Sequence, residues 1–340
     1  MRLNNFAFYG SAIALLSIGI FAYLSYCAAF NANVRSSSRM ELYVYPNETD
    51  VAIGLKMDSI LFDTSSFMHL AKIMKLTKLK PGRYLFKKDD HNFAIINKLR
   101  SGAQDAINVT INNVRDIYQL SGKLGAVMML DSMAFVSLLT DSINLMTLNF
   151  TKENILSLFI PNTYQMYWTT SGDRFLQRML QENKNFWLKE NRLQKAAEKS
   201  LGASEIYTVA SIVEKETINE SEKGMIAGVY LNRLKTGMKL QADPTVVFAM
   251  GLTGIQRVLL QHLRTESPYN TYLVEGLPPG PIWMPSTATI DSVLNATNHD
   301  YIFFCAKPGY DGTHTFAKSL EGHLLNARAY RKWLDSQRIK

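Results

Sequence analysis

Length, composition and charge already limit what this protein can be. The chain has 340 residues, of which 37 are Lys or Arg and 29 are Asp or Glu, so its formal net charge is +8. A hydrophobic content of 47% excludes a disordered chain, and the two cysteines, Cys27 and Cys305, are too few for a disulfide scaffold or a multi-cysteine metal site. Because the basic residues are spread along the chain, we predict no nucleic-acid partner and expect the charge to face anionic lipid or an anionic polymer.

The N-terminal segment predicts a membrane anchor. No charged residue occurs from Phe6 to Phe30, and this run is longer than the about 20 residues that a spanning helix needs. It also exceeds the roughly 7–15 residues of a signal-peptide apolar region, although cleavage near Cys27 stays open as an alternative. We therefore predict a single-pass anchor over residues 1–34, with its helix at about 6–30. Positive charge on both sides of the helix gives no preferred orientation.

The residues after the anchor predict a short tether and then a small α+β module. Residues 31–39 are polar and rich in serine, which is typical of a tether. Strands predicted at 41–45 and 108–111, and a turn followed by a strand within 79–86, alternate with helices at 65–76 and 93–99. A boundary near residues 102–108 separates a module over 41–107 from a second domain over 108–340.

The second domain mixes helical and strand patterns. One long helix is predicted over residues 175–201, and helices at 206–218 and 221–234 follow, the last with Ser221 as its cap. Strands predicted at 272–274, 301–306 and 313–316 precede a closing helix at 320–334. The expected fold class of the whole chain is therefore α+β.

One acidic residue of the helix at 206–218 stands out. At about 100° per residue, Glu216 projects between Val209 and Ile212 on the apolar face, whereas Glu214 projects well away from that face. Burial disfavours the ionised carboxylate, so the pKa of Glu216 should be raised, and a Glu that is still protonated near neutral pH is able to act as a general acid. The alternative is a structural role, in a buried ion pair or as a helix-end carboxylate.

Six short motifs follow one another in the C-terminal part of the chain. They are Ala210–Thr217 (ASIVEKET), Val229–Leu234 (VYLNRL), Gly237–Val246 (GMKLQADPTV), Tyr269–Tyr272 (YNTY), Gly276–Ile282 (GLPPGPI) and His314–Phe316 (HTF). In order and spacing they resemble the motifs of the YceG-like endolytic murein transglycosylases. The resemblance is close from about Asn162 onward and weaker over residues 41–110. It implies a YceG-like catalytic domain over 108–340, a LysM-like module over 41–107, and Glu216 as the catalytic acid.

The resemblance also implies a reaction. Such an enzyme is a lytic transglycosylase that cleaves the β-1,4 bond between MurNAc and GlcNAc of nascent peptidoglycan without adding water. The 6-hydroxyl of MurNAc attacks its own anomeric carbon and leaves a 1,6-anhydroMurNAc end, which would terminate elongation of the glycan chain. Glu216 would protonate the leaving oxygen and then accept the proton of the 6-hydroxyl, whereas ordinary glycosidases need two carboxylates. Asp243 keeps hydrolysis open as the lesser alternative.

Partners and location follow from the same resemblance. It implies peptidoglycan glycan strands as the substrate, membrane lipid around the N-terminal helix, and a peptidoglycan synthase complex as a further partner. The chain would lie in the cytoplasmic (inner) membrane with its catalytic domain on the periplasmic side. We predict no cofactor and no metal, since the six histidines show no ligand spacing. The competing hypothesis is a non-catalytic, membrane-anchored peptidoglycan-binding scaffold for a wall synthase, which would tolerate Gln at position 216.

Residues within these motifs form the predicted substrate-binding set. Several have structural alternatives: Asp243 before Pro244 is first of all an orthodox helix N-cap, and a satisfied structural histidine is the commoner outcome for a residue such as His314. The set comprises Thr217, Asn232, Gln241, Asp243, Thr245, Tyr269, Asn270, Tyr272, His314 and Thr315.

Overall fold

The computed structural model describes residues 2–35, 39–251, 258–309 and 312–337. Within these ranges helices are combined with three two-stranded sheets, which confirms the predicted α+β class. The chain forms two compact units. The N-terminal unit comprises Met1–Asn108 and Gln165–Thr170, and the C-terminal unit comprises Val109–Tyr164 and Ser171–Lys340. The domain limits at 41–107 and 108–340 stay predictions.

The N-terminal unit has its own core between helices and a pair of strands. Its elements are α1 (Arg2–Phe30), β1 (Met40–Val44), α2 (Asp50–Ile60), α3 (Thr64–Ile73), β2 (Gly82–Phe86) and α4 (Asn92–Ser101). β1 and β2 run antiparallel, with Leu42 opposite Tyr84. Because side chains alternate between the two faces of a strand, Leu42, Val44, Tyr84 and Phe86 all point into the core.

Helix α1 is long and apolar enough to cross a bilayer. Its candidate span, Tyr9–Phe30, has a mean hydropathy of 2.0, and the rest of the protein buries 6% of it. A signal sequence satisfies the same criterion. The prediction of a tether after this helix is wrong for residues 31–35, because Asn33 and Val34 are buried and Ala32 pairs with His91 in an isolated β-bridge.

The C-terminal unit is mainly helical. Strands β3 (Ala106–Ile111) and β4 (Asn162–Tyr167) pair with each other. Antiparallel strands β5 (Phe303–Ala306) and β6 (His314–Ala317) form another sheet. The helices are α5 (Ile117–Val127), α6 (Ser132–Thr140), α7 (Ser142–Leu148), α8 (Gly172–Leu188), α9 (Arg192–Glu198), α10 (Ala203–Glu216), α11 (Lys223–Lys235), α12 (Asp243–Ala249), α13 (Thr287–Leu294) and α14 (Leu320–Ser336).

Three predicted elements differ from the structure. The helix predicted over 175–201 breaks between α8 and α9, where Glu190 and Asn191 both have φ of 56°. The buried guanidinium of Arg192 is held at this break by the Asp291 carboxylate, at 2.7 Å, so a tertiary ion pair outweighs the helical pattern. The strand predicted at 272–274 is a turn. Ser221 does not cap α11: the N-cap residue of this helix is Glu222, which makes no side-chain capping bond, and Asn219 caps the short 3-10 turn Glu220–Glu222 before it.

The loop at 276–282 passes close to another backbone segment. A Cβ atom at Gly280 would clash with the carbonyl group of Glu153, whereas a Cβ at Gly122 in α5 would meet no atom within 4 Å. We therefore expect Gly280→Ala to lower the free energy of unfolding by about 1–3 kcal/mol, as overpacking does. Gly122→Ala is the matched control and should raise it by about 0.5–1 kcal/mol, because alanine is the better helix former. Thermal unfolding of both variants tests this, and equal melting temperatures would contradict the close approach.

Candidate active site

Helix α10 is buried along most of its length and carries two carboxylates near its end. Every side chain from Ile206 to Val213 is buried. The helix begins with the Glu205 carboxylate accepting a hydrogen bond of 2.6 Å from the Gly202 N–H. It ends at Glu216, because Thr217 is extended. Glu216 therefore lies at the negative end of the helix dipole, which disfavours an ionised carboxylate.

The environment of Glu216 raises its pKa from 4.5 to about 7. Desolvation of the half-buried side chain is the largest cause, and the nearby negative charge of Asp243 adds to it. Two groups on α11 act in the opposite direction. The Tyr230 hydroxyl donates a hydrogen bond of 2.6 Å to Glu216 Oε1, and the Arg233 guanidinium favours the ionised form. At neutral pH Glu216 is therefore partly protonated, as the helical wheel predicts.

Glu214 occupies a different environment two residues earlier. Burial alone would raise the pKa of this half-buried carboxyl, but a hydrogen bond from Thr289 and the Lys223 ammonium at 3.2 Å lower it overall. The Ser286 hydroxyl donates a further bond of 3.1 Å. The wheel places Glu214 away from the apolar face correctly, yet the residue is held by polar groups and is not simply solvated.

Asp243 and Tyr272 meet beside Glu216. The predicted N-cap role of Asp243 is wrong, because Ala242 is the N-cap of α12 and Asp243 is its first residue, with no side-chain capping bond. The Asp243 carboxylate instead accepts a hydrogen bond of 2.6 Å from the Tyr272 hydroxyl. This bond and burial raise the pKa of Tyr272. Asp243 is exposed, so this side of the site is open to solvent.

Arg233 brings a buried cation to the same site. Its guanidinium donates to the carbonyl of Ile302, at 2.7 Å, and to that of Leu240, and it lies 5.6 Å from the ring of Phe303. Burial lowers the pKa of Arg233, whereas the nearby Tyr230 and Glu216 favour its charged form. The side chain thus links α11 to the start of β5 and to the loop before α12.

Four predicted substrate-binding residues make structural hydrogen bonds. The Asn232 amide donates to the carbonyls of His299 and Tyr301, at 2.7 and 3.0 Å. Thr245 is buried and shares a hydrogen bond of 2.8 Å with Thr271. The Asn270 amide donates to two carbonyls of its own loop, and the Thr217 hydroxyl accepts from the Asn219 N–H at 3.0 Å. These bonds shape the loops around the site, and substrate contact by these residues stays a prediction.

The other predicted residues are more accessible. Gln241 is exposed and has φ of 47°. The half-buried ring of Tyr269 lies 4.7 Å from that of Phe248. On β6, His314 Nδ1 lies 2.9 Å from Glu222 Oε2, and Thr315 pairs across the sheet with Cys305. A substrate contact of these side chains also stays a prediction.

Sequence reasoning missed the two α11 groups that act on Glu216. The i, i+3 spacing of Tyr230 and Arg233 places them on one helix face, but no sequence signal places that face against Glu216. Lys223 was missed as well. It is buried to 2% exposure, and its ammonium bonds Glu214, Glu220 at 2.6 Å and Thr289 at 2.7 Å. A lysine that opens a helix carries no sequence signal for burial.

Replacing Glu216 or Glu214 by Gln should have opposite effects on the free energy of unfolding. Since the folded state raises the pKa of Glu216, the stability it contributes is complete below about pH 4.5 and is lost as the pH rises through about 7. The free energy of unfolding of Glu216→Gln should therefore match that of the wild type in acid and exceed it above pH 7, by at most about 3.5 kcal/mol at about 1.4 kcal/mol per pKa unit. Urea unfolding between about pH 4 and pH 8 measures this difference.

Glu214→Gln is the matched control. The pKa of Glu214 is lowered, so its contribution is present above its ordinary pKa and is lost as the pH falls through the lowered value. The variant should be less stable than the wild type at neutral pH, because it also removes one of the two carboxylates that pair with the buried Lys223. Destabilisation by both substitutions at pH 8, roughly a unit above the pKa of Glu216, would contradict the assignment.

Comparisons with known proteins agree on one family. The profile of the YceG-like family matches residues 43–329. An endolytic murein transglycosylase of Bacillus subtilis (strain 168) is 28% identical over 306 residues, covering 85% of this chain and 83% of that protein. One of Streptococcus pneumoniae (strain ATCC BAA-255 / R6) is 33% identical over 171 residues, covering 49% of this chain but 30% of that protein.

A solved structure shares the fold. The crystal structure of a YceG-like protein from Listeria monocytogenes aligns with a TM-score of 0.57 at 23% identity, and it covers 85% of this chain and 99% of that one. Since the family profile spans most of the sequence, the chain belongs to the YceG-like family.

Proposed function

We propose that this chain is an endolytic lytic transglycosylase of peptidoglycan. The observation that carries the proposal is the single carboxyl of Glu216, whose pKa is raised to about 7 and which accepts a hydrogen bond from Tyr230. A carboxyl that is partly protonated at neutral pH is able to donate a proton and then to accept one. The relatives named endolytic murein transglycosylases support the substrate class.

The proposed mechanism uses the substrate as its own nucleophile. Protonated Glu216 gives its proton to the glycosidic oxygen between MurNAc and GlcNAc as the bond from that oxygen to the anomeric carbon breaks. The 6-hydroxyl oxygen of MurNAc then bonds to the anomeric carbon, and its proton passes to the Glu216 carboxylate. No water is consumed, the acid is regenerated, and the product carries a 1,6-anhydroMurNAc end. Cleavage within nascent strands would terminate their elongation.

Neighbouring groups have supporting roles in this mechanism. The Tyr230 hydroxyl holds Glu216 Oε1 and leaves the other carboxyl oxygen for the substrate. The charge of Arg233 stabilises the carboxylate that forms after the first proton transfer. Before that transfer, the negative charge of Asp243 favours the protonated form of Glu216. Tyr272 and Tyr269 offer aromatic faces on which sugar rings are able to pack.

We further propose that α1 stays uncleaved as a single-pass anchor in the cytoplasmic membrane, with both units on the periplasmic side. The apolar span Tyr9–Phe30 supports the anchor. The separate core of the N-terminal unit supports a distinct module, which we propose to be LysM-like over residues 41–107. A peptidoglycan synthase complex is the proposed partner of such an enzyme, since termination acts on strands that a synthase makes.

Substitution of the acid tests the proposed function. Glu216→Gln keeps the side-chain shape and removes the proton donor, so release of 1,6-anhydromuramoyl fragments should fall by at least about 100-fold, the lower end of what general acid–base catalysis supplies. Glu214→Gln, the matched control, should lose much less activity. Mass spectrometry of fragments released from purified peptidoglycan measures both, and circular dichroism checks folding. Full activity of Glu216→Gln would contradict the proposal, and a hydrolytic product would redirect attention to Asp243.

The hydrogen bond from Tyr230 predicts a change in the pH profile. Wild-type activity should fall as the pH rises through the pKa of Glu216, about 7, because the protonated form starts the reaction. Tyr230→Phe removes a donor that stabilises the carboxylate, so this alkaline limb should move to higher pH. Tyr207→Phe also removes a buried tyrosine hydroxyl bond, to the Phe159 carbonyl, and should leave the limb in place. Identical shifts in both variants would rule out a specific effect of Tyr230.

A further inference from the structure

The end of α1 is built into the N-terminal unit. The buried Asn92 side chain donates to the carbonyl of Ala28 at 2.8 Å and accepts from the buried Asn33 amide at 2.8 Å. Ala29 is 7% exposed, and the Phe62 N–H donates to the Asn33 carbonyl at 2.9 Å. Because these polar groups are satisfied by one another, the helix end and the unit form one body with a fixed relation between them.

The length of α1 sets the height of that body above a bilayer. From Phe6, where the uncharged run begins, to Tyr26, before the helix enters the unit, the apolar helix measures about 32 Å at 1.5 Å per residue. This is close to the about 30 Å thickness of a hydrocarbon core. If α1 spans the membrane, the hydrocarbon therefore ends near Tyr26, and Cys27 to Phe30, where the N-terminal unit begins, lie at the level of the head groups.

Two exposed phenylalanines of the unit lie at this level. The ring of Phe93, at the start of α4, is 5.4 Å from that of Phe30. Phe62, between α2 and α3, lines a cleft together with Leu24 and Cys27 of α1. Phe62 is 65% exposed and Phe93 39%.

A cation accompanies them. The exposed guanidinium of Arg35 donates to the carbonyl of Leu61, next to Phe62 in the chain. An aromatic ring with a neighbouring cation suits the interface of a bilayer, where apolar groups meet anionic head groups. Within the described residues, the apolar side chains of α1 itself, such as Leu16 and Phe21, are largely exposed. Lipid would cover both this helix and the exposed phenylalanines next to its end.

We propose that Phe30, Phe62 and Phe93, with Arg35, form a membrane seat that inserts into the head-group region of an anionic bilayer. This inference rests on the proposed membrane anchor. It goes beyond that proposal, because a simple tether would let the unit leave the membrane surface, whereas the seat holds it at a fixed height.

Spin-label accessibility of the full chain tests the seat. The chain is reconstituted in vesicles of phosphatidylethanolamine and phosphatidylglycerol, in a background with Cys27→Ala and Cys305→Ala. Labels are attached through Phe62→Cys and Phe93→Cys. Ser101→Cys, exposed at the far end of α4 and about 13 Å along the helix from the Phe93 end, is the matched water-facing control. Leu15→Cys in the middle of α1 reports on the anchor. Circular dichroism confirms that each labelled chain is folded.

The expected result separates the seat from the anchor. Labels at 62, 93 and 15 should be accessible to oxygen and protected from a water-soluble nickel complex, and the label at 101 should behave in the opposite way. If the label at 15 is in lipid while those at 62 and 93 are as water-accessible as that at 101, the seat is refuted and the anchor stands. If the label at 15 is also in water, both fail. Protection of 62 and 93 from both probes would show that a second copy of the chain covers them, which also refutes the seat.

Discussion

The hydrogen bond between Tyr230 and Glu216 depends on how α11 is fixed against α10. The two helices are joined by a short segment that contains Asn219, and α11 begins at Lys223, whose buried ammonium bonds Glu214 on α10 and Thr289 on α13. Tyr230 follows Lys223 by two helical turns, so the ion pair at the start of α11 helps to fix the position of the Tyr230 hydroxyl relative to Glu216. A buried pair of this kind adds little net stability, but losing one partner is costly. Its contribution here is to specify one arrangement of the two helices.

That arrangement gives two carboxylates, two residues apart on one helix, opposite protonation behaviour. Glu214 faces an ammonium and two hydroxyls, and its pKa is lowered despite burial. Glu216 is desolvated and lies near the charge of Asp243, so its pKa is raised to about 7 although the Tyr230 hydroxyl donates to it. Neighbouring titratable groups whose surroundings separate their pKa values are a recurrent feature of acid–base sites. Near neutral pH, Glu214 stays ionised and pairs with Lys223, while Glu216 is partly protonated, so the structural role of Glu214 and the proposed catalytic role of Glu216 do not compete.

The sequence predicts features that depend on the periodicity of a single helix, but it does not predict contacts between separate helices. The periodicity of α10 selected Glu216 because its apolar face is continuous from Ile206 to Val213. No periodicity places Tyr230 on Glu216, since the contact joins separate helices. The N-cap expected at Asp243 failed for a similar reason: its carboxylate is taken by the Tyr272 hydroxyl, 29 residues further along the chain. The break before Arg192 likewise reflects an ion pair to the distant Asp291.

Asp243 shows why one acid suffices in the proposed reaction. In a glycosidase a second carboxylate must attack the sugar or activate a water. Asp243 is exposed, and one of its oxygens is already occupied by the hydrogen bond that it accepts from the Tyr272 hydroxyl. Its charge nevertheless raises the pKa of Glu216, while Tyr230 and Arg233 lower it. The negative charge of Asp243 thus favours protonated Glu216, the form that starts the proposed reaction. Tyr230 and Arg233 favour the Glu216 carboxylate, the form that would accept the proton of the 6-hydroxyl. A pKa of about 7 is the balance between these two demands.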